Sequence, residues 1–303
     1  MRLIVRILIA GLALAVLALA VLVIPAHIQT RRIAPPLPGL ADFRALAAEP
    51  GGPVRIEYLV NASQTSPRGT LGHTVFLIRW ADGRVFMIDA GMDRAAAAEF
   101  AELLKWMWGA DEGRFHGDVA AQLGDDVQSV QGVGFTHLHI DHTQGVRAFC
   151  AARGTGASIH QTRWQAEEHN FNTTEGAQIV AGSCLEARGL EGGPLIPVDG
   201  FPGLAVVALG GHTPGSTLFA AAVAGHLWLF SGDTTNTKAA IEGDVDKPFL
   251  YSWVLVPENT ARTAELRHWL AALDREADVS VIVSHDLDDI AASDLTEYPT
   301  ERP

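Results

Sequence analysis

The stretch Thr136-His137-Leu138-His139-Ile140-Asp141-His142 constrains this chain more than any other. Four groups able to bind a metal ion fall within six residues, directly behind a short apolar run at 133–136 that reads as a buried strand. His137 and His139 are two apart, so on an extended segment they point the same way. Asp141 and His142 follow as the chain turns toward a helix. One loop can thus serve two adjacent cations, and imidazole with carboxylate suits zinc, and also iron or manganese. A surface loop rich in His by chance is the bland alternative. Three His and one Asp packed straight after a strand weigh heavily against it.

Three further candidate ligands stand at strand ends. His212 sits in the glycine-rich turn Gly210-Gly211-His212-Thr213-Pro214-Gly215-Ser216. Asp233 follows the apolar run 227–230, and His285 follows 279–283. Strand termini are where a rigid scaffold can hold functional side chains. Each alone could be a turn residue; together they complete a set of seven. Ser216 and Ser231 lie near ligands without a recognisable base partner and read as turn residues. His73, His160 and His169 are candidates for pocket lining, though such a residue is more often an ordinary partly buried or surface histidine. Trp164, Phe171, Phe249 and Trp253 could form an apolar acyl pocket or serve as core anchors.

The surrounding pattern is mixed. Residues 54–60 read as a strand, and 74–80 and 84–89 flank an Asp82-Gly83 turn as a hairpin. Residues 93–108 read as a helix with Asp93 as N-cap, 143–152 as a second helix, 158–160 as a strand and 162–169 as a helix. Residues 170–193 look irregular, a candidate lid. Strands at 205–209, 218–223 and 227–230, an amphipathic helix at 259–275 and a buried strand at 279–283 complete one layered α/β domain, residues 54–303.

Ahead of it, residues 7–24 carry no charge and are almost wholly Leu, Ala, Val and Ile. Eighteen residues at 1.5 Å each just cross ~30 Å of hydrocarbon. Residues 1–30 are therefore expected to be a transmembrane signal anchor, with a cleaved signal peptide as the alternative. The run is longer than the ~7–15 residues usual for a signal peptide. Arg2 and Arg6 favour a cytoplasmic N-terminus and a periplasmic or otherwise extracytoplasmic body; Arg31 and Arg32 weaken that bias. Residues 31–53, with Pro35, Pro36 and Pro38, read as a stiff linker.

Of 22 basic residues, those four precede residue 33; the rest of the chain holds 18 Lys and Arg against 35 Asp and Glu, a net charge of −17. No nucleic-acid partner is expected of so acidic a body. Cys150 and Cys184 form no zinc pattern, and whether they pair stays open at this stage.

The H-x-H-x-D-H stretch, the Gly-His at 211–212, the Gly-Asp at 232–233 and the final His285 resemble, in order, the metallo-β-lactamase superfamily. Gaps of 75, 21 and 52 residues separate His137, His212, Asp233 and His285. They look like those of its N-acyl homoserine lactonases and hydroxyacylglutathione hydrolases. The resemblance implies a four-layered αββα sandwich and two Zn2+. His137, His139 and His212 would bind one metal, Asp141, His142 and His285 the other, with Asp233 bridging and Asp89 in support. It implies a hydrolase of ester, lactone or thioester bonds acting through a metal-bridging hydroxide, with Asp141 handing a proton to the leaving group. Dinuclear β-lactamases of the commonest type carry Cys where Asp233 stands, which speaks against β-lactam hydrolysis. Homoserine lactonases carry a Tyr three residues after the bridging Asp. Asn236 stands there and can still donate a hydrogen bond; Tyr251 is a candidate replacement. The alternatives are a phosphodiesterase with the same metal site, an iron-dependent redox protein, and a membrane-tethered metal-binding module without an accessible cavity. In the leading case the partner is a small-molecule substrate.

Overall fold

The computed structural model describes residues 2–299; Met1 and residues 300–303, the outer ends of the expected anchor and body, lie outside the described residues. Three long helices matter for the site: α1 (Arg2–Arg31), α2 (Leu40–Ala47) and α3 (Arg94–Trp108). Strand β1 (Arg55–Ser66) pairs antiparallel with β2 (Gly69–Arg79), and β2 with β3 (Val85–Ile88). The β2–β3 turn is the expected one, with Gly83 at φ 89° supplying the left-handed residue. β1 runs past the expected 54–60 because a bulge at Asn61 lets pairing resume at Ala62. The Asn61 amide donates to the carbonyls of Met92 and Gly117, and its oxygen accepts from Met92 N, all at 2.8 Å.

Beyond β3, the strands Val130–Gly134, Ser158–Thr162 and Glu186–Leu190 add in parallel. With Thr296–Glu297 and Arg114–Phe115 beside β1 they make an eight-stranded sheet. A second sheet has five strands in the order Val279–Ile282, His226–Phe230, Thr217–Val223, Leu204–Ala208, Ile196–Pro197. One apolar cluster, including Phe76, Phe86, Phe219 and Phe230, lies between the sheets. A second joins Phe135, Val146, Phe149 and Ile179 to the outer face of the larger sheet. A third joins Leu218, Leu229, Leu266 and Leu270 to the outer face of the smaller one. The layers therefore run helix, sheet, sheet, helix. Each large side chain so buried contributes about 1.5–3 kcal/mol.

Three expectations need correction. Residues 31–53 are not all linker: they include α2, which buries Phe43 and Leu46, three apart on one face, in the third cluster. Residues 170–193 are not irregular: they hold a helix, Thr174–Ala181, and the strand Glu186–Leu190. The helix expected over 143–152 is two, Ile140–Thr143 and Val146–Arg153. They part at Gly145, where a Cβ would stand 2.0 Å from the Ala90 carbonyl oxygen. Cys150 and Cys184 are disulfide-bonded. α1 is a single helix whose length and composition suffice to cross a membrane.

Candidate metal centre

All seven proposed ligands meet where the strands of the two sheets end. Their ligand atoms form three groups, each within 4.8 Å: His137, His139 and His212; His137, His142 and Asp233; and His73, Asp141 and His285. Asp233 stands at the centre. Its Oδ2 lies 3.8 Å from His137 Nε2, 3.7 Å from His212 Nε2 and 3.2 Å from His285 Nε2, and its Oδ1 3.6 Å from His142 Nε2. Asp141 Oδ2 lies 3.5 Å from His142 Nε2 and 3.4 Å from both His285 Nε2 and His73 Nδ1. Most of these separations are long for hydrogen bonds. They suit ligand atoms that share an ion: with bonds of ~2.0–2.1 Å, two tetrahedral ligands stand about 3.4 Å apart.

The donor set fits a cation on a second count. His139 Nε2, His142 Nε2, His212 Nε2 and Asp233 Oδ1 are buried with no hydrogen-bond partner among the described residues. Leaving such atoms unpaired costs about 1–3 kcal/mol each. Meanwhile the opposite ring nitrogens are taken. His142 Nδ1 donates to Asp89 Oδ2 at 2.8 Å, His285 Nδ1 to the Gly72 carbonyl at 2.7 Å and His212 Nδ1 to Glu258 Oε1 at 2.5 Å. Each bond orients its ring so that Nε2 faces the centre.

Local structure explains the placement. Asp89 ends β3 at φ 63°, a strained setting for a non-glycine residue, and is fully buried. Three accepted bonds hold it there: His142 Nδ1, and Thr136 N and Oγ1 at 2.8 and 2.9 Å. The loop after β3 is knit to the histidine stretch by Ala90 N to His142 O and Gly145 N to Gly91 O, both 2.7 Å.

Burial, reinforced by neighbouring imidazoles, holds His137 well below its usual pKa and His139 down at about 3. His212 is lowered by burial and by the Lys247 charge. Burial works to raise Asp141 and Asp233, but the imidazoles of His142 and His285 outweigh it, so both stay ionised. Burial works to lower His142, yet Asp89, Asp141 and Asp233 hold it up at about 9; His285 is raised by Asp233 and Asp141 against the same penalty. Neutral imidazoles and ionised carboxylates are the forms that bind metal, and the protons on His142 and His285 are those a cation would displace.

The centre forms the floor of a cavity of about 320 Å³. His139, Asp141, Asp233 and His285 face it. Its wall is apolar: Phe100, Leu103, Leu104 and Met107 from α3, with Phe171 and Val256. Asn172, Glu175, Asn236 and Tyr251 supply polar groups to the wall. A second cavity of about 430 Å³ adjoins it and shares Leu71, Trp108, Asn236 and His285.

Of the other candidates, His73 joins the cluster and Phe171 the wall. His160 instead packs its ring on Phe86 and Phe201, inside the fold. His169 bonds the Ala166 carbonyl. Trp164 lies under Arg163, with its Cζ 4.1 Å from the ring centroid, Trp253 touches α1 through His27, and Phe249 is solvent-exposed; none lines this cavity. Ser216 and Ser231 bond backbone groups, as turn residues do. Sequence analysis missed Glu258 and Lys247. Glu258 is buried, accepts from His212, Lys247 (2.8 Å) and Ser252 (2.6 Å), and is held at about 2 because Lys247 and His212 outweigh burial. Lys247 also donates to the Asp233 carbonyl at 2.6 Å.

Two facing sheets that hold a His/Asp cluster at their strand ends define a protein built to use divalent metal. The family model of the metallo-β-lactamase superfamily matches residues 68–285, and the chain belongs to that superfamily. No curated protein matches. Among solved structures, an N-acyl homoserine lactone hydrolase with N-hexanoyl-L-homoserine bound at its catalytic metal centre is 15% identical, with TM-score 0.59 over 80% of this chain and 98% of that one. A quorum-quenching N-acyl homoserine lactone lactonase is 16% identical, with TM-score 0.60 over 82% and 99%. A probable metal-dependent hydrolase from Staphylococcus aureus is 16% identical, with TM-score 0.52 over 77% and 90%. At these identities the likeness is one of fold.

Proposed function

We propose that the chain is a dinuclear metal-dependent hydrolase, zinc being the resident metal, that opens an ester, lactone or thioester bond next to an apolar acyl group. The observation that carries this is the apolar cavity floored by the His/Asp centre. A tethered metal-binding module would have no use for such an opening. In the similar lactone hydrolase the acylated product lies at the metal centre.

His137, His139 and His212 would hold one cation, Asp141, His142 and His285 the second, and Asp233 both. A bound pair supplies Lewis acidity and lowers the pKa of water from ~15.7 toward neutrality. Asp141, like Asp233, belongs to the cluster and faces the cavity; with Asp233 committed to both cations, Asp141 is the carboxylate left to handle a proton. It takes a proton from the attacking water and returns it to the leaving group, the oxygen of an ester or lactone or the sulfur of a thioester. Tyr251 stays protonated, its pKa pushed well above 10 by burial and by the charges of Glu258, Asp233 and Asp141. Its O–H and the Asn236 amide are the donors for the substrate carbonyl, which answers the lack of a Tyr at 236. The wall seats the acyl chain.

A panel of acyl lactones, thioesters and phosphodiesters tests this on the zinc-loaded chain. Turnover of lactones or thioesters that rises with acyl length supports it; turnover of phosphodiesters alone contradicts it.

We further propose that α1 is a retained anchor and the body extracytoplasmic. The stripe Val23, Ala26, His27 and Thr30 is buried against the body, so removal of residues 1–30 as a signal peptide would strip a packed face. The disulfide suits an oxidising compartment. Fractionation with and without detergent tests it: release into a salt wash contradicts the anchor.

A further inference from the structure

The foot of α1 and the mouth of the cavity are neighbours. His27 Nε2 hydrogen-bonds the Trp253 carbonyl at 3.0 Å, and the two rings lie 4.8 Å apart. Gln29 donates to Glu168 and to the His169 carbonyl. Before this docked stripe, α1 exposes an apolar surface from Ile7 to Leu22, about 24 Å of helix. The segment that α1 touches exposes Phe249 and Leu250 at 69% each and Trp253 at 39%, and the Phe249 and Trp253 rings stack. Two residues on, Leu255 lines the apolar cavity while 43% exposed; so do Leu103 at 43% and Phe171 at 36%. Residues that line a cavity and reach solvent mark its opening.

We propose that this apolar rim rests in the headgroup layer of the lipid bilayer that α1 enters, and that the cavity draws the acyl chain of an amphiphilic substrate from that bilayer. The proposal rests on the anchor reading, and its substrate half on the hydrolase reading. The heights agree. His27 stands one turn beyond Val23, ~6 Å along the axis, and the headgroup layer is ~5–7 Å deep on each side. Trp253 thus falls at the level where aromatic side chains collect in membrane proteins. The body's acidity gives no attraction to anionic lipid, so the contact is apolar and zwitterionic lipid suffices.

The test uses the full chain in phosphatidylcholine vesicles. With Cys150 and Cys184 paired, a single introduced cysteine can carry a polarity-sensitive fluorophore. Three sites are compared: Phe249→Cys at the rim, Leu14→Cys in α1, and Asp82→Cys at the turn on the far end of β2. Brominated phosphatidylcholine should quench the labels at 249 and 14 and spare the one at 82. Quenching at 14 alone overturns the proposal while keeping the anchor; no quenching at 14 overturns the anchor itself. An apolar but unquenched label at 249 would mean that another copy of the chain covers the rim, and also overturns it. In a second arm, Phe249→Asp with Leu250→Asp should slow hydrolysis of a long-chain ester held in the vesicles about tenfold. Hydrolysis of a short, water-soluble ester should be unchanged. Equal rates on the vesicle substrate refute the substrate half; no turnover of either ester by the unmodified chain refutes the hydrolase reading instead.

Discussion

The floor and the wall of the cavity are built by opposite means. The floor is polar, buried and held by an interlocked set of bonds: Asp89 on His142, Gly72 on His285, Glu258 with Lys247 on His212. The wall is mostly apolar side chains, from α3 and from Phe171, Leu255 and Val256, several of them half exposed, with Asn172, Glu175, Asn236 and Tyr251 set among them. A floor of that kind fixes one chemistry. A wall of that kind sets which acyl group is brought to it, and can change without disturbing the chemistry.

If that division is right, damage to the floor should be near-total and damage to the wall selective. Asp233→Ala is expected to have the largest effect: activity on every ester falls to background, because the carboxylate that lies within 3.8 Å of His137, His142, His212 and His285 is gone. Residual rates close to the unmodified chain would break the comparison. Glu258→Ala should come next. It frees His212 to take other tautomers and strands Lys247 in a buried site, and loss of such a supporting carboxylate costs about 10–100-fold in metal affinity. A competition titration with a chelating dye reads this directly. Met107→Ser, in the wall, should lower kcat/KM for a long acyl chain by about tenfold and leave a short one nearly unchanged. An equal loss on both substrates would mean that the wall also tunes the floor.

The smallest effect concerns two buried histidines in opposite surroundings. His142, among carboxylates, is held up at about 9; His160, packed on Phe86 and Phe201 with Arg188 nearby, is pushed down to about 4 by burial and then by that charge. Because the folded-state value of His160 lies below the unfolded one of ~6.5, the unfolded chain binds the extra proton between those limits. Its contribution is therefore in place above pH ~6.5 and is lost as pH falls toward about 4. His160→Leu should flatten the decline of the denaturation midpoint over that window. An unchanged slope would show that other groups set it.

The same division governs what the sequence reveals. His137, His139, Asp141 and His142 are legible because six consecutive residues carry four ligands, and His212, Asp233 and His285 because each follows an apolar strand. Glu258 and Lys247 lie 46 and 35 positions from His212 and sit in no pattern of their own. His73 is an isolated histidine within a strand until the fold lays it against Asp141. The wall was not legible for a similar reason. Trp164, Phe249 and Trp253 are apolar and aromatic, as wall residues should be, but only the path of the chain decides which cavity, core or surface they reach. The helix Thr174–Ala181 escaped notice because it is eight residues long and carries Gly176 on its packed face. A Cβ at that glycine would lie 2.0 Å from the Leu138 carbonyl oxygen, so close approach to the ligand loop, and not helix propensity, chose the residue.

The central claim concerns ions, and metal content tests it most directly. The full chain, stripped with a chelator, reloaded with zinc and freed of excess, should contain about two equivalents per chain by elemental analysis, and Asp233→Ala should hold distinctly less. A content well below one equivalent in the unmodified chain would contradict the account.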